Sequence, residues 1–180
     1  MDRRTFLGAA LLTGCGSGAD MGREYELVAS PQMREHKQVY DWGIEGDWTP
    51  VLTFFTPGDL AITYSPSLGR YRRQGQIVEV MFTIVTGSFT HTTASGAARI
   101  TGLPFTIQTF DISGPGAVKW QGITAANYTQ MTTSPAITPT GIALVMSGSA
   151  QNTLVVGVTQ MPSGGSVSLF GSLRYIATDA

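Results

Sequence analysis

The sequence predicts an all-β protein, a β-sandwich or jelly-roll-like antiparallel module behind a mostly extended N-terminal arm. From residue 48 onward, apolar and β-branched stretches recur at intervals of roughly ten residues, divided by Gly and Pro, which is typical of such folds. The chain carries 22 glycines, 9 prolines and 13% charged residues, against roughly 25% charged residues in ordinary globular proteins. A surface of Ser, Thr, Gln and Gly suits strands and turns better than helices, which favour Glu, Lys and Ala.

The charged residues are distributed unevenly, and this distribution predicts a domain boundary. Residues 1–47 hold 13 of the 23 charged residues, and the following 133 positions hold 10. We therefore predict an N-terminal arm or attachment segment over residues 1–47 and a β-sandwich domain over residues 48–180. The arm has scattered apolar residues without a sustained heptad, so it is expected to gain order on a neighbouring subunit rather than form a coiled coil.

Each predicted strand of the domain is bounded by turn residues. The strongest covers residues 77–85, where alternation sends Val78, Val80, Phe82 and Ile84 to one face and Glu79, Met81 and Thr83 to the other. The other predicted strands cover residues 51–55, 60–65, 70–73, 97–101, 106–112, 117–123, 127–132, 141–147, 153–160 and 167–176. The polar stretch 87–95 is expected to be a loop, and turns are expected at residues 56–59, 66–69 and 74–76.

The first twenty residues have two interpretations. Arg3-Arg4 precede a small, apolar run that ends in Leu12-Thr13-Gly14-Cys15, which resembles a twin-arginine export signal with a lipobox. Such a signal implies a lipoprotein anchored to a bacterial membrane through Cys15. The alternative, favoured by the short apolar run, is an arm that merely contains Arg-Arg and Cys. No other membrane contact is expected, because no apolar run approaches ~18 residues.

Composition and motif searches argue against several function classes. A net charge of −1 gives no basic excess to attract a phosphate backbone, so nucleic acid is not an expected partner. The single cysteine cannot form an internal disulfide, so stability must come from packing and association. The sequence has no His-x-x-x-His, Cys-x-x-Cys or Gly-x-Ser-x-Gly pattern, so no metal site, cofactor or catalytic nucleophile is predicted.

The remaining candidates for catalysis are few. His36 is expected to be solvated in the arm, and His91 to be an ordinary exposed loop residue, the alternative being contact with a partner or ligand. The carboxylates beyond residue 47 are Asp59, Glu79, Asp111 and Asp179. Asp59 and Asp111 lie in or beside turn sequences, where Asp caps the backbone, so a two-carboxylate hydrolase is disfavoured. The protein is not expected to be an enzyme.

Residues 48–105 carry a pattern that resembles a module of bacteriophage tail fibres and related virion proteins. The pattern is Trp48-Thr49-Pro50-x-Leu52-x-Phe54, Ile62-x-Tyr64, Gly69-Arg70-Tyr71-x-Arg73-x-Gly75, Val78-x-Val80-x-Phe82-x-Ile84 and Gly96-x-Ala98-x-Ile100-x-Gly102-Leu103-Pro104-Phe105. The resemblance implies a β-sandwich at the virion surface, often trimeric, without conserved catalytic chemistry. From the residues themselves, Gly69 and Gly75 are expected to permit tight turns, and Tyr71 to bury its ring.

Candidate interaction residues lie in one basic cluster and in the arm. Arg70 and Arg72 are expected to point outward together, and with Arg73 they could pair with acidic residues of another copy's arm, such as Asp41, Glu45 or Asp47. The alternative is a solvated strand face. Tyr40 and Trp42 of the arm complete the predicted interface. The Ser- and Thr-rich stretches 131–140 and 147–152 either present hydroxyls to sugars or proteins or are plain surface loops.

Together these features predict a structural virion protein, in first place a capsid decoration or cement protein that stabilises the head surface as a homotrimer. Its expected partners are other copies, the major capsid protein or another virion protein, and a host surface glycan or protein. The residues ahead of the module do not resemble a fibre shaft, which favours the capsid over the tail. A tail-fibre or receptor-binding adhesin is the alternative, and an exported lipoprotein with a β-sandwich domain is the second alternative.

Overall fold

The computed structural model describes residues 43–108, 114–136 and 140–178, and in these ranges every regular element is a β-strand. The predicted all-β class is therefore confirmed. The strands are β1 (Ile44–Trp48), β2 (Val51–Thr56), β3 (Ala61–Gln74), β4 (Ile77–Thr90), β5 (Ser95–Thr101), β6 (Gly114–Gln121), β7 (Gln130–Pro135), β8 (Gly141–Ser147), β9 (Leu154–Val155) and β10 (Ser168–Ile176).

The strands form one curled antiparallel sheet that folds over its own core. Their order is β1-β3-β4-β10-β6-β7-β8-β5-β2, with β9 on the side of β8. We call β1, β3, β4, β10 and β6 sheet I, and β7, β8, β5, β2 and β9 sheet II. The two sheets join at β6 and β7, whose described ladder has the single pair Ala117–Thr132. Long strands alternate buried and exposed residues, which directs one face of each sheet into a shared core.

At the opposite margin, β2 and β3 are linked by side chains instead of a ladder. The Tyr64 hydroxyl accepts a hydrogen bond from the Leu52 amide at 3.0 Å and donates one to the Leu52 carbonyl at 3.2 Å. The Ser67 hydroxyl donates to the Pro50 carbonyl. These hydroxyls occupy main-chain groups of an edge strand, which protects that edge from pairing with another chain.

The inner face of sheet I alternates large and small residues across the strands. One row contains Trp48, Gly69, Phe82, Gly171 and Val118. The Trp48 indole lies over Gly69, and its Nε1 donates hydrogen bonds to the carbonyls of Arg70 at 3.3 Å and Met81 at 3.2 Å. The expectation that Gly69 permits a turn is therefore wrong, because Gly69 lies within β3 and makes room for an indole. Gly75 does occupy a turn, with φ of 58°.

One predicted turn and the first part of one predicted loop belong to strands in the structure. β3 runs from Ala61 to Gln74 through the expected turn at residues 66–69. A shift in its register with β4 between Tyr64 and Ser67 accommodates Pro66, which has no amide to donate. β4 continues to Thr90, so residues 87–90 of the stretch 87–95 expected to be a loop are strand, and Ser88, Phe89 and Thr90 pair with β3. Residues 44–47, which the sequence assigned to the arm, form β1 and pair with β3.

The turn after β2 is tied to the β4–β5 connection by one carboxylate. Asp59 accepts hydrogen bonds from the amides of Thr92 and Thr93, at 2.9 Å and 2.8 Å, and from both threonine hydroxyls. The Thr92 hydroxyl, followed by the Thr92 and Thr93 amides, holds the pKa of Asp59 well below its usual range. The predicted capping role of Asp59 therefore includes a contact between two loops that are distant in sequence.

The lowered pKa of Asp59 should make the stability of the folded domain depend on pH in the acid range. Because its pKa is lowered by folding, its contribution is present above the unfolded pKa of about 3.9 and is lost as the pH falls below that value. We expect Asp59→Asn to melt at a lower temperature than the wild type at pH 7, and the difference to shrink toward pH 2. Thermal unfolding of both proteins across this pH range measures the difference. Thr92→Val serves as a second variant, because it removes the Thr92 hydroxyl that donates a hydrogen bond to Asp59. A melting difference that stays constant with pH would contradict this role.

Candidate interaction surface

The outer face of sheet I brings together seven of the ten charged residues that the structure describes. Its members alternate with the buried core residues along each strand and come from all five strands of the sheet. They are Glu45 and Asp47 of β1, Leu68, Arg70 and Arg72 of β3, Glu79, Met81 and Thr83 of β4, Phe170, Ser172 and Arg174 of β10, and Lys119 of β6.

Arg70 and Arg72 point outward together, as alternation in β3 predicts. Asp47, suggested from the sequence as a partner from another copy, lies beside Arg70 of the same chain, with 3.4 Å between the Arg70 Nε and the Asp47 Oδ1. Glu45 likewise lies opposite Arg72 in the ladder between β1 and β3. Since both side chains of the Asp47–Arg70 pair are exposed, the pair contributes only ~0–1 kcal/mol.

Arg73 does not share this face. It is half-buried, its guanidinium lies 4.6 Å from the centre of the Phe105 ring, and its Nε donates a hydrogen bond to the Gly75 carbonyl at 2.8 Å. These contacts give Arg73 a role in packing the end of the β3–β4 hairpin. The structure thus divides the predicted basic cluster in two. Tyr40 and Trp42, the other predicted interface residues, lie outside the described residues.

Sequence reasoning missed an exposed apolar patch on the same face. Leu68 is 62% exposed, Met81 57% and Phe170 39%, and the Lys119 ammonium lies 5.5 Å from the centre of the Phe170 ring. The outward position of Met81 was visible in the alternation of residues 77–85. Leu68 was hidden because its segment was assigned to a turn, and Phe170 because the partners of β10 were unknown.

The outer face of sheet II carries a mainly apolar groove of about 180 Å³. Phe55 and Val155 are its exposed apolar side chains, and the Arg99 guanidinium lies 5.3 Å from the centre of the Phe55 ring. Ser134 and Pro135 also line it. They come from the Ser- and Thr-rich stretch 131–140, whose first part is strand β7 instead of a surface loop.

His91 was expected to be exposed, and this prediction is wrong. The side chain is 9% exposed, and the ring makes edge contacts with Phe54 and Phe89 at centroid distances of 5.0 Å and 5.7 Å. Its Nε2 lies 3.1 Å from the Pro162 carbonyl, and its main chain exchanges hydrogen bonds with the Ser163 hydroxyl. His91 therefore joins the end of β4 to residues 162–163 as part of the core.

The candidate acid and base groups do not form a catalytic cluster in the part of the chain that is described. Asp59 is occupied by the loop contacts given above, and Glu79 lies on the outer face of sheet I. Within residues 43–108, 114–136 and 140–178, His, Cys, Asp and Glu side chains nowhere gather in a group of three that could hold a metal ion. His36, Asp111 and Asp179 lie outside these ranges. The described residues also contain no helix that could span a membrane.

Comparison with known proteins identifies a structural neighbour but no sequence family. Neither the protein-family models nor the curated proteins give a match to this sequence. Among solved structures, the crystal structure of Dettilon tailspike protein (gp208) matches with a TM-score of 0.53 and 17% sequence identity. The match covers 74% of this chain and 24% of the tailspike chain. This likeness shows that the β-domain shares its fold with a part of that tailspike.

Proposed function

We propose that this protein is a structural component of a bacteriophage virion, and more specifically a capsid decoration or cement protein that acts on the head surface as a homotrimer. One observation carries the virion assignment, the shared fold with part of a phage tailspike. The motif of residues 48–105, which resembles a virion surface module, supports it independently. The proposed role is mechanical, since several copies that bridge capsid subunits bury interface area and so resist internal pressure.

The structural roles of His91 and Asp59 support a function without catalysis. The His91 ring is packed between Phe54 and Phe89, and the Asp59 carboxylate is occupied by four donor groups of Thr92 and Thr93. The outer faces of the two sheets present exposed apolar and charged side chains. Such surfaces suit protein contacts.

A tail location is the second candidate function, and the structural neighbour favours it directly, because that neighbour is a tailspike. A receptor-binding adhesin would use an outer surface of the domain to contact a glycan or protein of the host. The groove beside Phe55, with the Arg99 guanidinium and the Ser134 hydroxyl at its wall, has the mixture of apolar and polar groups that such contacts need.

Separated virion parts distinguish these candidates. If heads and tails are purified from the same phage preparation and analysed by quantitative mass spectrometry, a decoration protein should be found in the head fraction. A chain that begins at residue 43 keeps β1 intact and removes residues 1–42 of the predicted attachment segment. We expect this truncated protein to remain β-rich by circular dichroism and to lose binding to heads that lack the native protein.

Each outcome bears on a different part of the proposal. Detection in tails alone would replace the decoration role with the adhesin role. Head binding by the truncated chain at the level of the full chain would contradict the attachment role of the arm. Absence from both fractions of a phage whose infected host contains the intact protein would overturn the virion assignment itself.

A further inference from the structure

The outer face of sheet I carries a row of four charged side chains that alternate in sign. Glu45 of β1 lies opposite Arg72 of β3, Arg72 opposite Glu79 of β4, and Glu79 opposite Arg174 of β10. All four residues are exposed. Because neighbouring strands are about 4.8 Å apart, the row extends over roughly 14 Å.

Such a row is complementary in charge to the same row of a second copy that is rotated by a two-fold axis. From β1 to β10 the order is acid, base, acid, base, and a two-fold axis parallel to the strands, between β3 and β4, presents the reverse order. Glu45 then faces Arg174 of a second copy, Arg72 faces Glu79 of that copy, and symmetry repeats both contacts. We propose that the outer face of sheet I is a two-fold interface between two copies of this chain.

The same row excludes the neighbouring registers. An axis through β4 would place Arg72 opposite Arg174 of the second copy and Glu79 opposite Glu79. An axis through β3 would place Glu45 opposite Glu79 and Arg72 opposite Arg72. Either shift brings like charges together, which is costly in an interface. The alternating charges therefore favour the proposed register over the two registers in which the second copy is shifted by one strand in either direction.

The apolar patch supplies the attraction that exposed ion pairs cannot, since each such pair contributes only ~0–1 kcal/mol. Leu68, Met81 and Phe170 project from the same face, with 62%, 57% and 39% of their surface exposed. In the proposed register Met81 faces Arg70 of the second copy, whose methylene stem can cover the thioether, and Leu68 faces Thr83. Burial of this patch provides affinity, and the charged row provides register.

This contact goes beyond the proposed function and does not depend on it. A self-complementary face joins copies in pairs, whereas a closed trimer uses two different surfaces on each copy. The two-fold contact is thus additional to any homotrimer contact, and molecular mass distinguishes pairs, trimers and pairs of trimers.

Charge reversal at the two central positions tests the interface in the full-length protein. Arg72→Glu and Glu79→Arg each place like charges opposite one another at two symmetric contacts, so each variant should associate about tenfold more weakly or worse than the wild type. From β1 to β10, the row of the Arg72→Glu variant reads acid, acid, acid, base. The row of the Glu79→Arg variant, read in the opposite direction, is base, base, base, acid, so every contact between the two variants joins opposite charges. Mixed in equal amounts, the two variants should therefore recover association. Sedimentation equilibrium at low and high salt measures all three samples.

Val51→Glu, on the exposed surface of sheet II and outside the groove, is the matched control and should leave the association unchanged. Circular dichroism should show each variant to be folded, since positions 51, 72 and 79 are exposed. A wild-type protein that stays monomeric at all concentrations overturns the proposal. So does a mixture of the two variants that fails to associate. A trimer that neither charge reversal affects would leave the homotrimer standing and overturn the two-fold interface.

Discussion

Gly69→Ala is expected to destabilise the domain by about 3 kcal/mol, the upper part of the range for overpacking a core. A methyl group at this position would lie 2.5 Å from Cε2 and 2.7 Å from Cδ1 of the Trp48 indole, and would also contact its Nε1. The indole cannot turn away without losing its hydrogen bonds to the Arg70 and Met81 carbonyls. Thermal unfolding should show the midpoint lowered by roughly 10 °C.

Gly87→Ala is the matched control for this prediction. Gly87 also lies within a strand, but an added methyl would meet only the Thr63 carbonyl oxygen, at 3.8 Å, so stability should change by less than about 0.5 kcal/mol. Adding Trp48→Phe to Gly69→Ala should restore part of the loss, because the smaller ring vacates the space that the methyl needs. Equal stability of the Gly69→Ala and Gly87→Ala proteins would show that the indole does not constrain this position.

The sequence predicted the features of this fold that depend on local periodicity. Alternation in residues 77–85 identified the buried face of β4, and with it the outward direction of Glu79 and Met81. The same rule applied to Arg70 and Arg72 placed them correctly on the outer face of sheet I. These predictions succeed because each residue's side of a strand follows from its immediate neighbours.

The errors concern contacts between residues far apart in the chain. His91 lies in a stretch of Ser and Thr that has a loop-like composition, and only the packing of Phe54 and residues 162–163 against it makes the ring part of the core. Pro66 and Gly69 suggested a turn, but both lie within β3. A register shift accommodates Pro66, and the Trp48 indole fills the space that a side chain at position 69 would occupy. The apolar part of the candidate interface was missed for the same reason, since only the pairing of β4 with β10 brings Met81 and Phe170 to one face.

Thr133→Val should also cost about 3 kcal/mol, because it removes a buried hydroxyl that holds the seam between the two sheets. The Thr133 Oγ1 donates a hydrogen bond to the Ser172 carbonyl at 2.6 Å and accepts one from the Gly116 amide at 2.8 Å. Both partners lie where the register of β10 and β6 shifts, between Gly171 and Leu173. Valine has the same shape but leaves the half-buried Gly116 amide and Ser172 carbonyl without this partner, at about 1.5 kcal/mol each, in the lower part of the range for unpaired buried groups.

Thr133→Ser distinguishes the contribution of the hydroxyl to stability from that of the methyl group. Serine keeps both hydrogen bonds and removes one buried methyl group, so its cost should be about 1 kcal/mol. Urea unfolding of the three proteins gives the order of stability, wild type above Ser and Ser above Val. Hydrogen exchange at the Gly116 amide adds a local measurement and should accelerate in the Val protein beyond the change in global stability, because β6 and β7 share a single described ladder pair at this seam. A Val protein as stable as the Ser protein, with an unchanged Gly116 amide, would mean that the β6–β7 junction holds without the hydroxyl.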